Sequence, residues 1–275
     1  MKEFKLALLQ MKIAGGKKKE NLLRAEKMIT ESAKNGADIC LLPEAMNLGW
    51  THPSALNDAD TIPDGDTFTT LADSAIKNKL FICSGLVEKE NNKIYNTAVL
   101  ISPEGELLLR HRKINELEIG HGYYAQGDRL NIWECELGTI GLMICSDAFA
   151  EERVLSQALG YLGADVILSP SSWALPPDYD NKSKPCGKIW YDHYHPVAKK
   201  FAVWIAGVSN VGRIIAGPWQ GYHCIGNSLV LDSGGNIKLE GPFGVNAESI
   251  LYTTIKPVIR PARGTGWISY WQQKS

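Results

Sequence analysis

Short runs of apolar and β-branched residues alternate along this chain with stretches whose apolar positions recur every three to four residues, and that alternation predicts a layered α/β fold. Residues 6–10 read as a strand. In 20–35, Leu22, Leu23, Ala25, Met28, Ile29 and Ala33 fall at helical spacing, and Gly36 stands where a helix C-cap belongs. A strand is expected at 39–42, a second helix at 67–79, and strands at 81–88 and 97–102, with Pro103, Glu104 and Gly105 forming a turn before the strand-like run 107–113. The apolar run 139–144 leads into a helix-like stretch over 148–160, with a third helix at 154–162. Then come a strand at 166–169, a helical element at 195–201, strands at 203–209 and 228–231, and a turn at Asp232, Ser233, Gly234 and Gly235. No tandem repeat or low-complexity block interrupts the series, and one domain over 1–275 is expected.

Composition narrows the class. With 275 residues, 44% of them hydrophobic, the chain can bury a large core. Its 29 basic and 30 acidic residues leave a formal charge of −1, which carries no electrostatic footprint for nucleic acid or an anionic membrane. The run Lys17, Lys18, Lys19 reads as a solvated turn. No apolar segment approaches the roughly 20 residues of a membrane span, and Lys2, Glu3 and Lys5 precede only a short apolar segment, so a soluble, unexported, cytoplasmic protein is expected. Six cysteines, at 40, 83, 135, 145, 186 and 224, form no C-x-x-C pair, the usage of a reducing compartment.

Cys145 changes the picture most. It ends the run 139–144 and is followed by Ser146 and Asp147, so a thiol sits at a strand end, where the free amides of a following helix would favour a thiolate and an oxyanion. Glu44 and Lys113 occupy similar settings after the runs 39–43 and 107–112. A base, a cation and a thiol suit acyl transfer through a thioester. Glu44 would take the thiol proton, Lys113 would stabilise the tetrahedral intermediate, and the Ser146 backbone N–H would complete an oxyanion hole.

Three ordered segments, Leu41-Leu42-Pro43-Glu44, His111-Arg112-Lys113 and Gly141-Leu142-Met143-Ile144-Cys145-Ser146-Asp147, resemble the Glu-Lys-Cys motifs of the nitrilase superfamily of carbon-nitrogen hydrolases. The resemblance opens at Lys5–Gln10, continues through Tyr95–Gly105 and closes at Gly226–Gly235, so it spans nearly the whole chain. It implies an α-β-β-α sandwich with two central sheets and the site at strand ends, no cofactor or metal, and a small-molecule amide as substrate. It further implies a homodimer or higher homo-oligomer. Ser146 and Asp147, in place of the Trp-Glu pair of true nitrilases, lean toward an amidase-like member, with both residues at the substrate site. No arginine stands just after the cysteine, although Arg213 could serve an anionic substrate. Nitrilase and N-carbamoyl hydrolase chemistry are the nearest alternatives, and a catalytically silent scaffold is the rival from another class.

The resemblance also implies a second glutamate between the lysine and the cysteine. Glu116 and Glu118 compete for that place, and Glu118 is favoured as nearer the Gly127-Asp128 turn. Trp173, which follows the strand after the nucleophile segment, is expected to contact substrate, with Trp50, Tyr123 and Tyr124 as further walls. Residues 174–188, with three prolines, read as a surface loop able to form a lid. His193 and His195 form an H-x-H pair that could ligate zinc with His121 or His223, but the pair fits a helix cap or pocket wall better. Trp267, Tyr270 and Trp271 in the tail 256–275 could pack on a partner subunit.

Overall fold

A computed structural model describes residues 2–261. The expected alternation of strands and helices is present. The strands are β1 (Phe4–Gln10), β2 (Ile39–Leu41), β3 (Phe81–Glu90), β4 (Lys93–Ile101) and β5 (Leu107–Arg112), then β6 (Ile132–Cys135), β7 (Gly138–Leu142), β8 (Val166–Ser171), β9 (Ala174–Leu175) and β10 (Trp204–Ser209), and finally β11 (Val211–Arg213), β12 (His223–Ile225), β13 (Leu229–Leu231), β14 (Ile237–Glu240) and β15 (Ser249–Ile255). The longer helices are α1 (Lys18–Lys34), α2 (Asp66–Asn78), α3 (Val154–Leu162) and α4 (Gly187–Phe201).

Two six-stranded sheets organise the molecule, in the orders β15-β1-β2-β3-β4-β5 and β14-β13-β10-β8-β7-β6. Each has a parallel centre, β1, β2 and β3 in one and β7, β8 and β10 in the other, with antiparallel strands at both sides. Parallel neighbours need a long crossover, and α1 to α4 supply it in both sheets. Strand alternation then sorts the core. Leu6, Leu8, Ile39 and Leu41 join Ile140, Leu142, Val166 and Leu168 of the second sheet, while Ala7, Leu9, Cys40 and Leu42 pack with Leu22, Ala25 and Ile29 of α1 and Leu71 and Ala75 of α2. Trp190, Tyr194, Val197 and Leu159 bring α3 and α4 onto the outer face of the second sheet. The result is the expected α-β-β-α layering.

Several local expectations need correction. The lysine run is no turn, because Lys18 starts α1 and pairs with Asp60 at 2.7 Å. The element expected at 195–201 starts earlier, at Gly187, so Pro196 lies inside α4. The helix expected from residue 148 does not form. Cys145–Phe149 is a single 3-10 turn, and Glu152 and Arg153, with φ of +53° and +56°, break the chain before α3. A third, three-stranded sheet in the order β11-β12-β9 was not anticipated, since its strands have only two or three residues each. The aromatic tail residues Trp267, Tyr270 and Trp271 lie outside the described residues. Among the described residues, no helix is long and apolar enough to cross a membrane.

Candidate active site

Strand ends from both sheets converge on one cavity of about 180 Å³ that Glu44, Lys113 and Cys145 share. Glu44 leaves β2 through a tight elbow in which Ala45 has φ +48°. Its backbone N–H donates 3.2 Å to Ser171 O at the end of β8, tying the first sheet to the second. Gly85 permits this approach, since a Cβ there would lie 2.6 Å from Glu44 Cα and 2.8 Å from Pro43 O. Lys113 follows β5 directly, and Cys145 follows β7 with φ +43°, an uncommon backbone state for a residue with a side chain.

Charge in the site is organised around Lys113. Its Nζ donates to Glu44 Oε1 at 2.7 Å and to Glu116 Oε1 at 2.9 Å, and all three side chains are closed off from solvent. Asn96 of β4 bridges the carboxylates from the other side, donating Nδ2 to Glu44 Oε1 at 2.6 Å and to Glu116 Oε2 at 3.0 Å. Burial disfavours the ammonium, yet chiefly the charges of Glu44 and Glu116 more than offset that and hold the Lys113 pKa above its ordinary value. For Glu44 burial prevails. Its pKa is raised, with the Glu116 carboxylate adding to the effect and Lys113 and Asn96 opposing it.

Cys145 is 7% exposed as a residue, and burial followed by the Glu44 charge pushes its thiol pKa up despite Lys113 and a hydrogen bond from the Ser172 backbone. A resting thiolate favoured by a helix N-terminus is therefore not what the fold provides. The turn after Cys145 is only five residues of 3-10 helix, too short to carry much of a macrodipole. The Ser146 N–H does sit in its first turn, where amides lack an intrahelical acceptor.

A network behind the cavity holds these parts together. Asp147 Oδ1 accepts from the backbone N–H groups of Ile114 and Asn115 at 3.0 and 2.8 Å, and Oδ2 from Ile144 N–H at 2.9 Å and His111 Nε2 at 2.7 Å. Ser146 Oγ donates to Asn115 O at 2.5 Å, and Asn115 Nδ2 returns a bond to Ser146 O at 2.6 Å. The segment after Lys113 is thus stitched to the turn after Cys145.

The carbon-nitrogen hydrolase family model matches residues 5–263, almost the full chain. This chain belongs to the carbon-nitrogen hydrolase family. The chain is 33% identical over 176 residues to a nitrilase of Pyrococcus abyssi, covering 62% of this chain and 66% of the relative. It is 32% identical over 186 residues to the omega-amidase NIT2 of Bos taurus, covering 64% of this chain and 66% of the relative. The chain thus spans just under two thirds of the length of these curated relatives. The crystal structure of a carbon-nitrogen hydrolase from Helicobacter pylori G27 shares the fold, with a TM-score of 0.82 at 18% identity, over 93% of this chain and 90% of that one.

The remaining candidates separate clearly in the structure. Trp50, Trp173 and Ser146 line the cavity with Glu44, Lys113 and Cys145. Glu118 does not meet Lys113. It starts a 3-10 turn at Glu118–Gly120 with its side chain exposed, while Glu116, three residues after Lys113, folds back onto it. Asp147 is fully buried in the network above and faces no substrate space. Tyr123 packs on Tyr124 and the apolar cluster around it rather than lining the cavity, and the Tyr124 hydroxyl accepts from Thr51 N–H at 3.0 Å. Arg213 lines a separate small recess that shares only Trp50 and Ser172 with the Cys145 cavity. His193 Nδ1 meets Ile189 O at 2.8 Å and His195 Nδ1 meets Gly235 O at 2.9 Å, so the two histidines serve different partners, and no cluster of metal-ligating side chains occurs among the described residues.

Segment 174–188 does reach the site, through Ala174, Leu175 and Cys186. Asn96, Leu117, Phe149, Ile189 and Trp219 were missed. Asn96 stood inside a quoted segment of the resemblance but shows its role only when β4 places it across from Glu44. The others come from loops or helix faces with no local signature.

Proposed function

We propose that this carbon-nitrogen hydrolase cleaves the carbon-nitrogen bond of a small non-peptide amide through a Cys145 thioester. The observation that carries this reading is the buried Glu44, Lys113 and Glu116 cluster, closed by 2.7 and 2.9 Å bonds, in the cavity that holds the Cys145 thiol. Because the thiol pKa is raised, the nucleophile rests as S–H and is deprotonated only as it attacks. Glu44 takes that proton while Sγ bonds to the carbonyl carbon. Its raised pKa makes it a stronger base than an ordinary carboxylate. The resulting oxyanion is stabilised by the Lys113 ammonium and the Ser146 N–H.

Collapse of the intermediate breaks the carbon-nitrogen bond, and Glu44 returns the proton to the departing nitrogen. Glu44 then deprotonates a water that attacks the thioester carbon, and a second collapse releases the acid and restores the thiol. Glu116 keeps Lys113 oriented and charged throughout. The names of the relatives, a nitrilase and an omega-amidase, support carbon-nitrogen hydrolysis as the class, and Ser146 and Asp147 after the nucleophile favour the amidase side.

The test is ammonia release from aliphatic amides, aromatic amides, N-carbamoyl compounds and nitriles, with wild type and Cys145→Ala run together. Release from amides that disappears in the variant is expected. Release from nitriles alone, or turnover that survives loss of the thiol, would overturn the reading.

A further inference from the structure

Among the described residues the charged groups on the cavity wall are Glu44 and Lys113, and Lys113 is already held by two carboxylates. With all three ionised, the cluster of Glu44, Glu116 and Lys113 sums to −1, and with Glu44 protonated it sums to zero. Neither state attracts an anion. Arg213, the cation that could have answered a substrate carboxylate, opens into the neighbouring recess instead. Beyond the indoles of Trp50, Trp173 and Trp219, the small groups Ser146, Ser172 and Cys186 add polar lining.

The rest of the wall is apolar and braced. Trp173 packs on Trp190 with ring centroids 3.8 Å apart, and Phe149 meets the same indole at 5.1 Å. Trp50 meets Trp219 edge to face at 5.1 Å, and Trp219 stacks on Tyr222 at 5.1 Å. Such paired rings stabilise one another beyond the area they bury. The apolar character continues outward. Leu117 and Ile189 line the cavity yet are 38% and 50% exposed, so they mark its mouth. The volume of about 180 Å³ corresponds to roughly six waters at about 30 Å³ each. That is room for a short branched chain or a single ring beside the carboxamide.

We propose that the site selects amides of uncharged, apolar acids and rejects amides whose acyl group carries a carboxylate. The inference rests on the amide-hydrolase reading above and narrows its substrate class. A carboxylate brought into this cavity would lose water and meet only a Lys113 ammonium already held by two carboxylates among the described residues, and its field would add to those of Glu44 and Glu116. An isopropyl group of the same shape would be buried against tryptophan.

The isosteric pair 4-methylpentanamide and succinamate tests this directly. Wild-type kcat/KM is expected to favour 4-methylpentanamide by roughly 100-fold or more. In parallel, calorimetric titration of Cys145→Ala protein reads pocket preference without turnover, and it should detect the neutral amide and not the anion. Leu175→Arg, which places a cation in the wall, should raise kcat/KM for succinamate by about 10-fold or more. Equal or better use of succinamate by wild type would overturn the inference and leave amide hydrolysis standing. Binding of 4-methylpentanamide without hydrolysis of either amide would instead strike the hydrolase reading and support the pocket preference. Tighter binding of succinamate to Cys145→Ala, or no binding of either amide, would also overturn the inference.

Discussion

Asp147 and His111 are joined by a 2.7 Å hydrogen bond between two side chains closed off from solvent. Because an ionised carboxylate can only accept, His111 Nε2 carries the proton of that bond. The same carboxylate gathers three backbone N–H groups from both sides of the site, those of Ile144, Ile114 and Asn115. It fixes where Lys113 and Cys145 stand relative to each other without touching the cavity.

This network sets a pH-dependent stability. Burial alone would raise the Asp147 pKa, but the bonds from His111 and the backbone amides outweigh it and hold the group below its ordinary value. Its contribution is therefore complete above the unfolded aspartate pKa of about 3.9 and is lost as pH falls from there through the depressed native value. At pH 7, Asp147→Asn should unfold with a stability loss of about 3 kcal/mol in urea titration. The gap to wild type should narrow below about pH 4. Equal midpoints at pH 7, or a gap that widens in acid, would refute the assignment.

Glu116 and Glu118 differ by two positions and by everything around them. Glu116→Gln removes one of the two carboxylates on Lys113 and should lower kcat by roughly 10-fold or more. Glu118→Gln alters an exposed side chain and should stay within about twofold of wild type. Steady-state kinetics of the two variants decide the matter, and the reverse order would return the second-glutamate role to Glu118.

The raised pKa of Glu44 places the acid limb of activity. A base must be ionised, so kcat/KM should fall on acidification with a midpoint above the unperturbed glutamate value of about 4.3. Since the Glu116 carboxylate contributes to raising it, Glu116→Gln should move that midpoint to lower pH. A pH profile whose limb does not move, or moves upward, would contradict this electrostatic account.

Gly85 is predicted to be intolerant of a methyl group. Gly85→Ala would drive a Cβ to within 2.6 Å of Glu44 Cα, against backbone that is held on both sides by hydrogen bonds from Gly85 N–H to Pro43 O and from Met46 N–H to Gly85 O. A loss of about 1–3 kcal/mol in denaturant unfolding is expected, with a fall in kcat as the elbow shifts. An unchanged midpoint and rate would show that the elbow can relax.

The helix α1 was legible because its stripe of Leu22, Ala25 and Ile29 has only one face to bury, and Gly36, at φ +74°, ends it as its position suggested. The central strands were legible for a related reason, since strands buried on both sides carry unbroken apolar runs. The order of Glu44, Lys113 and Cys145 at strand ends could likewise be read along the chain. What the chain could not show was which loop residue folds back on Lys113. Glu116 and Glu118 are chemically identical, and the choice between them belongs to the path the backbone takes after β5.

The sequence by itself thus determined the alternating elements, the layered α/β fold they imply, and a thiol, a base and a cation in series, because those are properties of local pattern and residue type, while the two-sheet arrangement was implied by the family resemblance. Tertiary structure alone decided that burial raises the Cys145 pKa, that the cavity wall is largely apolar with Lys113 as its cation among the described residues, and that Asp147, Tyr123 and Arg213 stand outside that wall. Those depend on burial and on neighbours far apart in the chain, such as Asn96 against Glu44 and Trp173 against Trp190. Desolvation and Coulomb energy act through space, and no reading along one dimension contains the distances on which they depend.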